Sequence, residues 1–259
     1  MATHHTPDGL QLELRLSAGR CEIETADTDE TVVEAEPMNG SAASREAAEA
    51  LVETLSERSG GGHKLVVAMP KMRRLVSGLN NAKVLVRIRA PHGTDLDAST
   101  ASADVVVRGR LRAADVRTAS GDVTIETAEQ ATEVKTASGA VELGSLLGAV
   151  GVNTMSGDVT IGETSAALNV NTMSGDVKIE RVATGAIQVR SMSGDVRTGI
   201  ARGATLFVDA NSASGDVRSE LPVTEATPAG GHADVELRVT SMSGDIVVAR
   251  APENVAAGA

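Results

Sequence analysis

Between residues 100 and 248 the chain alternates apolar and polar residues in short runs, and one phrase punctuates them. It is written TASADVVV, TASGDVTI, TASGAVEL, TMSGDVTI, TMSGDVKI, SMSGDVRT, SASGDVRS and SMSGDIVV. Just past the Asp position stand Val105, Val123, Val141, Val159, Val177, Val196, Val217 and Ile246. Two residues further come Val107, Ile125, Leu143, Ile161 and Ile179, then polar Thr198 and Ser219 before Val248. Ahead of the phrase, Val116, Val134, Val152, Val170 and Val189 each lie two residues before its Thr or Ser. Aliphatic residues at period two mark half-buried strands. Each repeat therefore reads as strand, corner, strand.

The serines of the phrase fall at 102, 120, 138, 156, 174, 193, 214 and 243, so the interval is 18 residues four times and then 19, 21 and 29. A fixed period with insertions toward one end is the mark of a solenoid. Stacked in parallel, each strand pairs with its copies about 4.8 Å above and below. A left-handed coil with a six-residue register is the rival, but it turns Val116, Val134, Val152 and Val170 outward, and the later intervals break it. A right-handed or irregular coil fits the pattern better.

The corner is Ser-Gly-Asp: Ser120, Gly121 and Asp122; Ser156, Gly157 and Asp158; Ser174, Gly175 and Asp176; Ser193, Gly194 and Asp195. Glycine accepts the positive φ of a sharp corner. Serine and aspartate can bond backbone N–H groups that the corner leaves unpaired, so each Asp is expected to close its own turn.

Residues 1–94 read as an N-terminal β-rich cap, 95–250 as the solenoid of about eight rungs and 251–259 as a frayed tail. LQLELRLSAGRCEIET alternates like a degenerate rung. SREAAEALVETLSERSGGG predicts a helix over about 44–59, with Ser44 as N-cap and Gly60 as stop. KLVVAM and KVLVRIRA are strands on either side of a basic loop, 70–83, and residues 224–234 form an exposed loop before the last rung. A cap is needed because a first rung exposes its valines and open strand edges.

The N-terminal LELRLSAGRCEIETADTDETVVEAEP and the tandem T-x-S-G-D-V-x-I rungs resemble the bacterial β-strand-repeat family called Toastrack, or "putative adhesin". The resemblance covers nearly the whole chain. It implies an all-β solenoid with no catalytic residues to carry over; some relatives are associated with envelope-stress systems and act as assembly platforms.

Composition narrows the chemistry. Hydrophobic residues make up 41% of 259, yet Phe207 is the only aromatic. A core without aromatic bulk must be thin enough for aliphatic side chains to span. A net charge of −11 and missing stacking platforms exclude general nucleic-acid binding. Cys21 is alone, so no intrachain disulfide forms. The start shows no basic region followed by an apolar run and no stretch is long enough to span a bilayer, which together predict a cytoplasmic protein.

The column Asp104, Asp122, Asp158, Asp176, Asp195, Asp216 and Asp245 could suggest calcium, but one Ser-Gly-Asp per 18 residues lacks a coordination cage. His4, His5, His63, His92 and His232 show no ligand spacing. Met155, Met173, Met192 and Met242 share one register and are expected to fill a roomy corner, the alternative being a partner-binding stripe. From Gly60 to Thr94 no acid occurs while Lys64, Lys71, Arg73, Arg74, Lys83, Arg87 and Arg89 do. Lys71, Arg73 and Arg74 are the candidate contact for an acidic protein or anionic lipid at a membrane periphery.

The expected function is a non-enzymatic cytoplasmic scaffold or interaction module without metal or cofactor, monomeric or a small oligomer. The alternatives are a self-polymerising cytoskeletal β-helix like the bactofilins and a calcium-dependent surface adhesin.

Overall fold

In a computed structural model, described over residues 2–7, 9–58, 61–69, 82–221 and 233–252, parallel strand pairs stack into one long coil. The repeat strands are β7 (Thr94–Thr118), β8 (Val123–Ala128), β9 (Thr132–Ser138), β10 (Val141–Leu146), β11 (Val150–Ser156), β12 (Val159–Thr164), β13 (Leu168–Ser174), β14 (Val177–Val182), β15 (Gly185–Ser193) and β16 (Val196–Ile200). Like pairs with like in strict register: Val134, Val152, Val170 and Val189 form one ladder, and Val123, Val141, Val159, Val177 and Val196 another. All of these valines are buried. The core is thus a slot between two parallel sheets, and aliphatic ladders from both walls fill it.

The coil does not end at residue 94. β2 (Leu10–Ala26) is a full rung that pairs in parallel along β7, from Gln11 opposite Asp95 to Glu24 opposite Arg108. On its far side lie β5 (His63–Ala68) and β6 (Val84–Pro91), also parallel, as one further rung. The core cluster runs unbroken from Leu10 to Val248. Only then is the end closed, by antiparallel β3 (Glu30–Pro37) on β6, β4 (Val52–Glu57) on β5 and β1 (Ala2–His5) on β3. Glu13 helps fasten the outer rung: Lys64 Nζ on β5 lies 2.7 Å from its carboxylate, and Arg15 pairs with it as well. The hydrogen bond from Lys64 holds this nearly buried carboxyl below its ordinary range.

The helix α1 spans Ala42–Glu49, not 44–59. Its N-cap is Ser41, whose hydroxyl accepts from the Ser44 N–H at 3.1 Å. Ser44 is instead buried, and its hydroxyl accepts from the Lys83 N–H at 3.0 Å, tying the helix to the chain just before β6. The stretch beyond Ala50 becomes β4, which pairs along the whole of β5 and covers the open edge of the outer rung. Tertiary pairing overrides local propensity here.

At the C-terminal end the rungs do not stack in chain order. β17 (Leu206–Ser212) and β18 (Val217–Ser219) form the outermost rung. The last strands, β19 (Val235–Ser243) and β20 (Ile246–Arg250), return beneath them and pair with β15 and β16 on one side and with β17 and β18 on the other. Asp234 pins the return: its carboxylate accepts from the Thr205 N–H and hydroxyl at 2.9 and 2.7 Å, which lowers its pKa. Thr198, polar in an otherwise aliphatic column, is buried between Ile179 and Val248. Ser219 does lie in the end rung, where Phe207, Val208 and Val217 are exposed.

Candidate functional site

The corners come first, because they fix every surface column. Val159 N–H donates forward to the Asp176 carbonyl of the next rung, and Gly157 N–H to the Ser174 carbonyl. The Asp N–H between them points the other way and meets a carboxylate: Asp176 N–H donates to Asp158 Oδ1 at 2.9 Å. The same bond joins Asp122 to Asp104, Asp195 to Asp176, Asp245 to Asp195 and Asp216 to Asp245, at 2.8–3.2 Å. Asp104, Asp122, Asp158, Asp176, Asp195 and Asp245 therefore each support the corner of the neighbouring rung, not their own, while Asp216 in the outermost rung bonds Arg218. An N–H turned back at the corner finds no carbonyl in reach, so the side chain supplies the acceptor.

Glycine has two separate reasons at this position. Gly175 and Gly194 stand at φ +128° and +125°, in the left-handed region. Gly121 and Gly157 do not, yet a Cβ on either would overlap the backbone carbonyl oxygen of the preceding rung. Close approach alone demands glycine there.

Ala140 interrupts the carboxylate series: its N–H donates to Asp122 Oδ1 at 2.9 Å, but it offers nothing to Asp158. Ala140→Asn should restore the acceptor without adding a charge to the column. We expect it to raise stability by about 0.5–1.5 kcal/mol, read as the midpoint of chemical denaturation. Asp176→Ala should lower it by about 1–3 kcal/mol, because the Asp195 N–H loses its acceptor.

Two clefts mark the outward face of the sheet built from β2, β7, β9, β11, β13, β15 and β19. One runs across the strand starts, past Asp97, Asp115, Glu133, Asn169 and Gln188 over a floor that includes Ala131, Ala149 and Ala167. Between the clefts the polar side chains bond to each other in register: Asn171 Nδ2 donates to Asn153 Oδ1 at 3.0 Å and to Asn169 Oδ1 at 3.2 Å, and Asn153 Nδ2 to Glu133 Oε1 at 3.2 Å. The second cleft lies at the strand ends, along Met155, Met173 and Met192.

The methionines do not fill a corner. Met155, Met173, Met192 and Met242 are 59, 50, 48 and 57% exposed. The strand alternation explains it: Leu168, Val170 and Thr172 point inward, so Met173 points out. That signal was present in the sequence. The return of β19 also makes the column continuous, since Ser243 pairs with Ser193 and thereby sets Met242 on the rung next to Met192.

The remaining candidates are dispersed. Lys71, Arg73 and Arg74, with loop 70–83 almost entirely, lie outside the described residues. Their acid-free stretch of sequence is not an acid-free surface, because Lys64 pairs with Glu13, and Arg87 with Glu36 at 2.9 Å and Glu22 at 3.5 Å. His4 bonds Glu53 and His92 bonds Thr25, at 2.8 and 3.0 Å. Cys21 is buried in the β2 rung, and burial pushes its thiol pKa up, away from reactivity. Among the described residues no three His, Cys, Asp or Glu side chains cluster to hold a metal ion, and no helix is long and apolar enough to cross a membrane.

Comparison with known proteins adds the family. No curated protein matches the chain. A crystal structure of a "putative adhesin" from Bacteroides fragilis is similar over 96% of this chain and 95% of its own, at 9% identity and a TM-score of 0.51, which speaks to a shared fold. A "putative cell adhesion protein" from Clostridium sporogenes covers 96% and 98% at 11% identity, and a "putative adhesin" from Parabacteroides distasonis 95% and 95% at 11%. Their TM-scores of 0.30 and 0.28 carry no argument about structure. The expectation of a cytoplasmic protein is corrected at this point: the Bacteroides fragilis structure that shares the fold bears an adhesin name, and the sequence start does not decide the compartment against it. Over the described residues the chain is an all-β repeat protein with one helix. The family model for Toastrack DUF4097 matches residues 11–249, and the chain belongs to that family.

Proposed function

We propose that this protein is a recognition module with an adhesin-like role outside the cytoplasm, and that the outward face of the β9–β11–β13–β15 sheet makes the contact. The observation that carries this reading is the hydrogen-bonded array of Glu133, Asn153, Asn169 and Asn171, polar groups held in fixed register on a rigid sheet. Such groups are ordered before any ligand arrives, so binding costs little side-chain entropy. The rung spacing also suits an extended polar ligand lying along the coil, with groups repeating at about 5 Å.

The test has two arms. In intact cells of the native host, externally added protease should degrade the protein while a cytoplasmic marker survives; protection equal to the marker's overturns the location. Asn169→Arg with Gln188→Arg should leave folding unchanged and abolish retention of the purified protein on the host's isolated envelope. Retention equal to wild type overturns the choice of face.

A further inference from the structure

From the methionine ladder we infer that this protein holds a soft monovalent metal ion, copper(I) in chemical class, in the cleft between Met155, Met173 and Met192. Half of the chain's eight methionines stand at this one register. Among the described residues none is fully buried in the core, which is built of Leu, Ile, Val, Ala and Cys21, and Met69 is the one that packs against it. Methionine is therefore not used here as general filler. It is concentrated on four adjacent rungs, where Ala137 and Ala213 take the same register on either side.

The strip is one residue wide, with the Thr154, Thr172 and Ser191 ladder on one side and Ser156, Ser174 and Ser193 on the other. An apolar docking surface would need breadth, and Leu or Val would serve it equally well. What is particular to this column is the thioether, a soft and polarisable donor that selects copper(I) over hard ions. Residues at one register of neighbouring parallel strands stand about 4.8 Å apart. Three rotatable bonds let the outer two side chains lean toward the middle one, so three sulfurs can close on one ion.

The rest of the lining excludes the alternatives. Lys135, Asn153, Asn171 and Arg190 border the cleft, and no carboxylate or imidazole does. Calcium, magnesium and zinc find no suitable ligand set there, and the two cations oppose a divalent charge more strongly than a single one.

The probe is silver(I), a redox-stable ion of the same class, titrated into the full-length protein with 13C-methyl-labelled methionine. We expect the methyl resonances of Met155, Met173 and Met192 to shift together and saturate near about one equivalent, as a trigonal soft site requires. Copper(I), supplied anaerobically against a chromophoric chelator, should compete for the same resonances. Replacing all three by Leu keeps volume and apolarity, and an unchanged melting temperature will show that it keeps the fold. That variant should lose affinity by about tenfold or more. Shifts confined to other methionines, no shift at all, or equal silver affinity in the Leu variant would each overturn the assignment. Metal-free capture of one envelope protein by both forms, without a silver shift, would make the ladder an apolar docking strip instead.

Discussion

Gly175→Ala is expected to destabilise the fold by about 3 kcal/mol or more, among the costliest single-methyl additions the chain can receive. Two effects combine there. The residue sits at φ +128°, where a Cβ strains the backbone, and that Cβ would overlap the carbonyl of Gly157 one rung away. Backbone strain alone costs of the order of 1 kcal/mol or a little more. The overlap adds the cost of prising two hydrogen-bonded rungs apart, including the bond from Gly157 N–H to the Ser174 carbonyl at 3.1 Å. Gly203 separates the effects, since it stands at φ +83° with open space around it. Gly203→Ala should cost about 1 kcal/mol by strain alone. Denaturation midpoints of the two variants should differ widely. Equal midpoints would mean that rung contact is not what the corner glycines protect.

These glycines also show where the sequence was legible. The spacing of Ser-Gly-Asp and the valine columns determined the corner, the rung and the parallel stacking, because a repeated local geometry leaves a repeated local signature. Which rung lies on which is another matter. Every rung carries nearly the same phrase, so the corner at Ser193 pairs as readily with the one at Ser243 as with the one at Ser214, and no local feature separates them. Intervals of 21 and 29 residues were the only hint. At the other end, the alternation in KLVVAM was readable as a strand, but its place beyond β2 was not. The residues of β4 show the opposite failure: they fall within the helix expected over 44–59, and pairing to β5 overruled its second half. The candidate face was missed for a simpler reason. Asn153, Asn169 and Asn171 are unremarkable in the sequence, and they become an array only when 18-residue spacing stacks them.

Removal of residues 233–259 should unfold more than the segment removed. In a solenoid stacked in chain order, losing the last rung exposes the one before it and leaves the rest standing, since stability is close to a sum over neighbours. Here β19 and β20 are the inner layer. Val235, Leu237, Val239, Ile246 and Val248 are buried, and each contributes about 1.5–3 kcal/mol by leaving water. Their backbones bond to β15 and β16 below and to β17 and β18 above. Without them residues 206–219 lose their only parallel neighbour among the described residues, while Ile187, Val189 and Val196 become an open end. We expect amide exchange in the truncated chain to lose protection throughout 206–219 as well. Protection should persist along the ladders from β2 to β13, and the melting temperature should fall by roughly ten degrees or more, given that about 1 kcal/mol moves a domain of this size by 2–4 °C. If 206–219 keeps its protection after the truncation, it rests on β15 and β16 directly and the inserted order of the rungs is wrong. The same experiment on the intact chain has its own signature: β20, near the C-terminus, should exchange more slowly than β18, which precedes it.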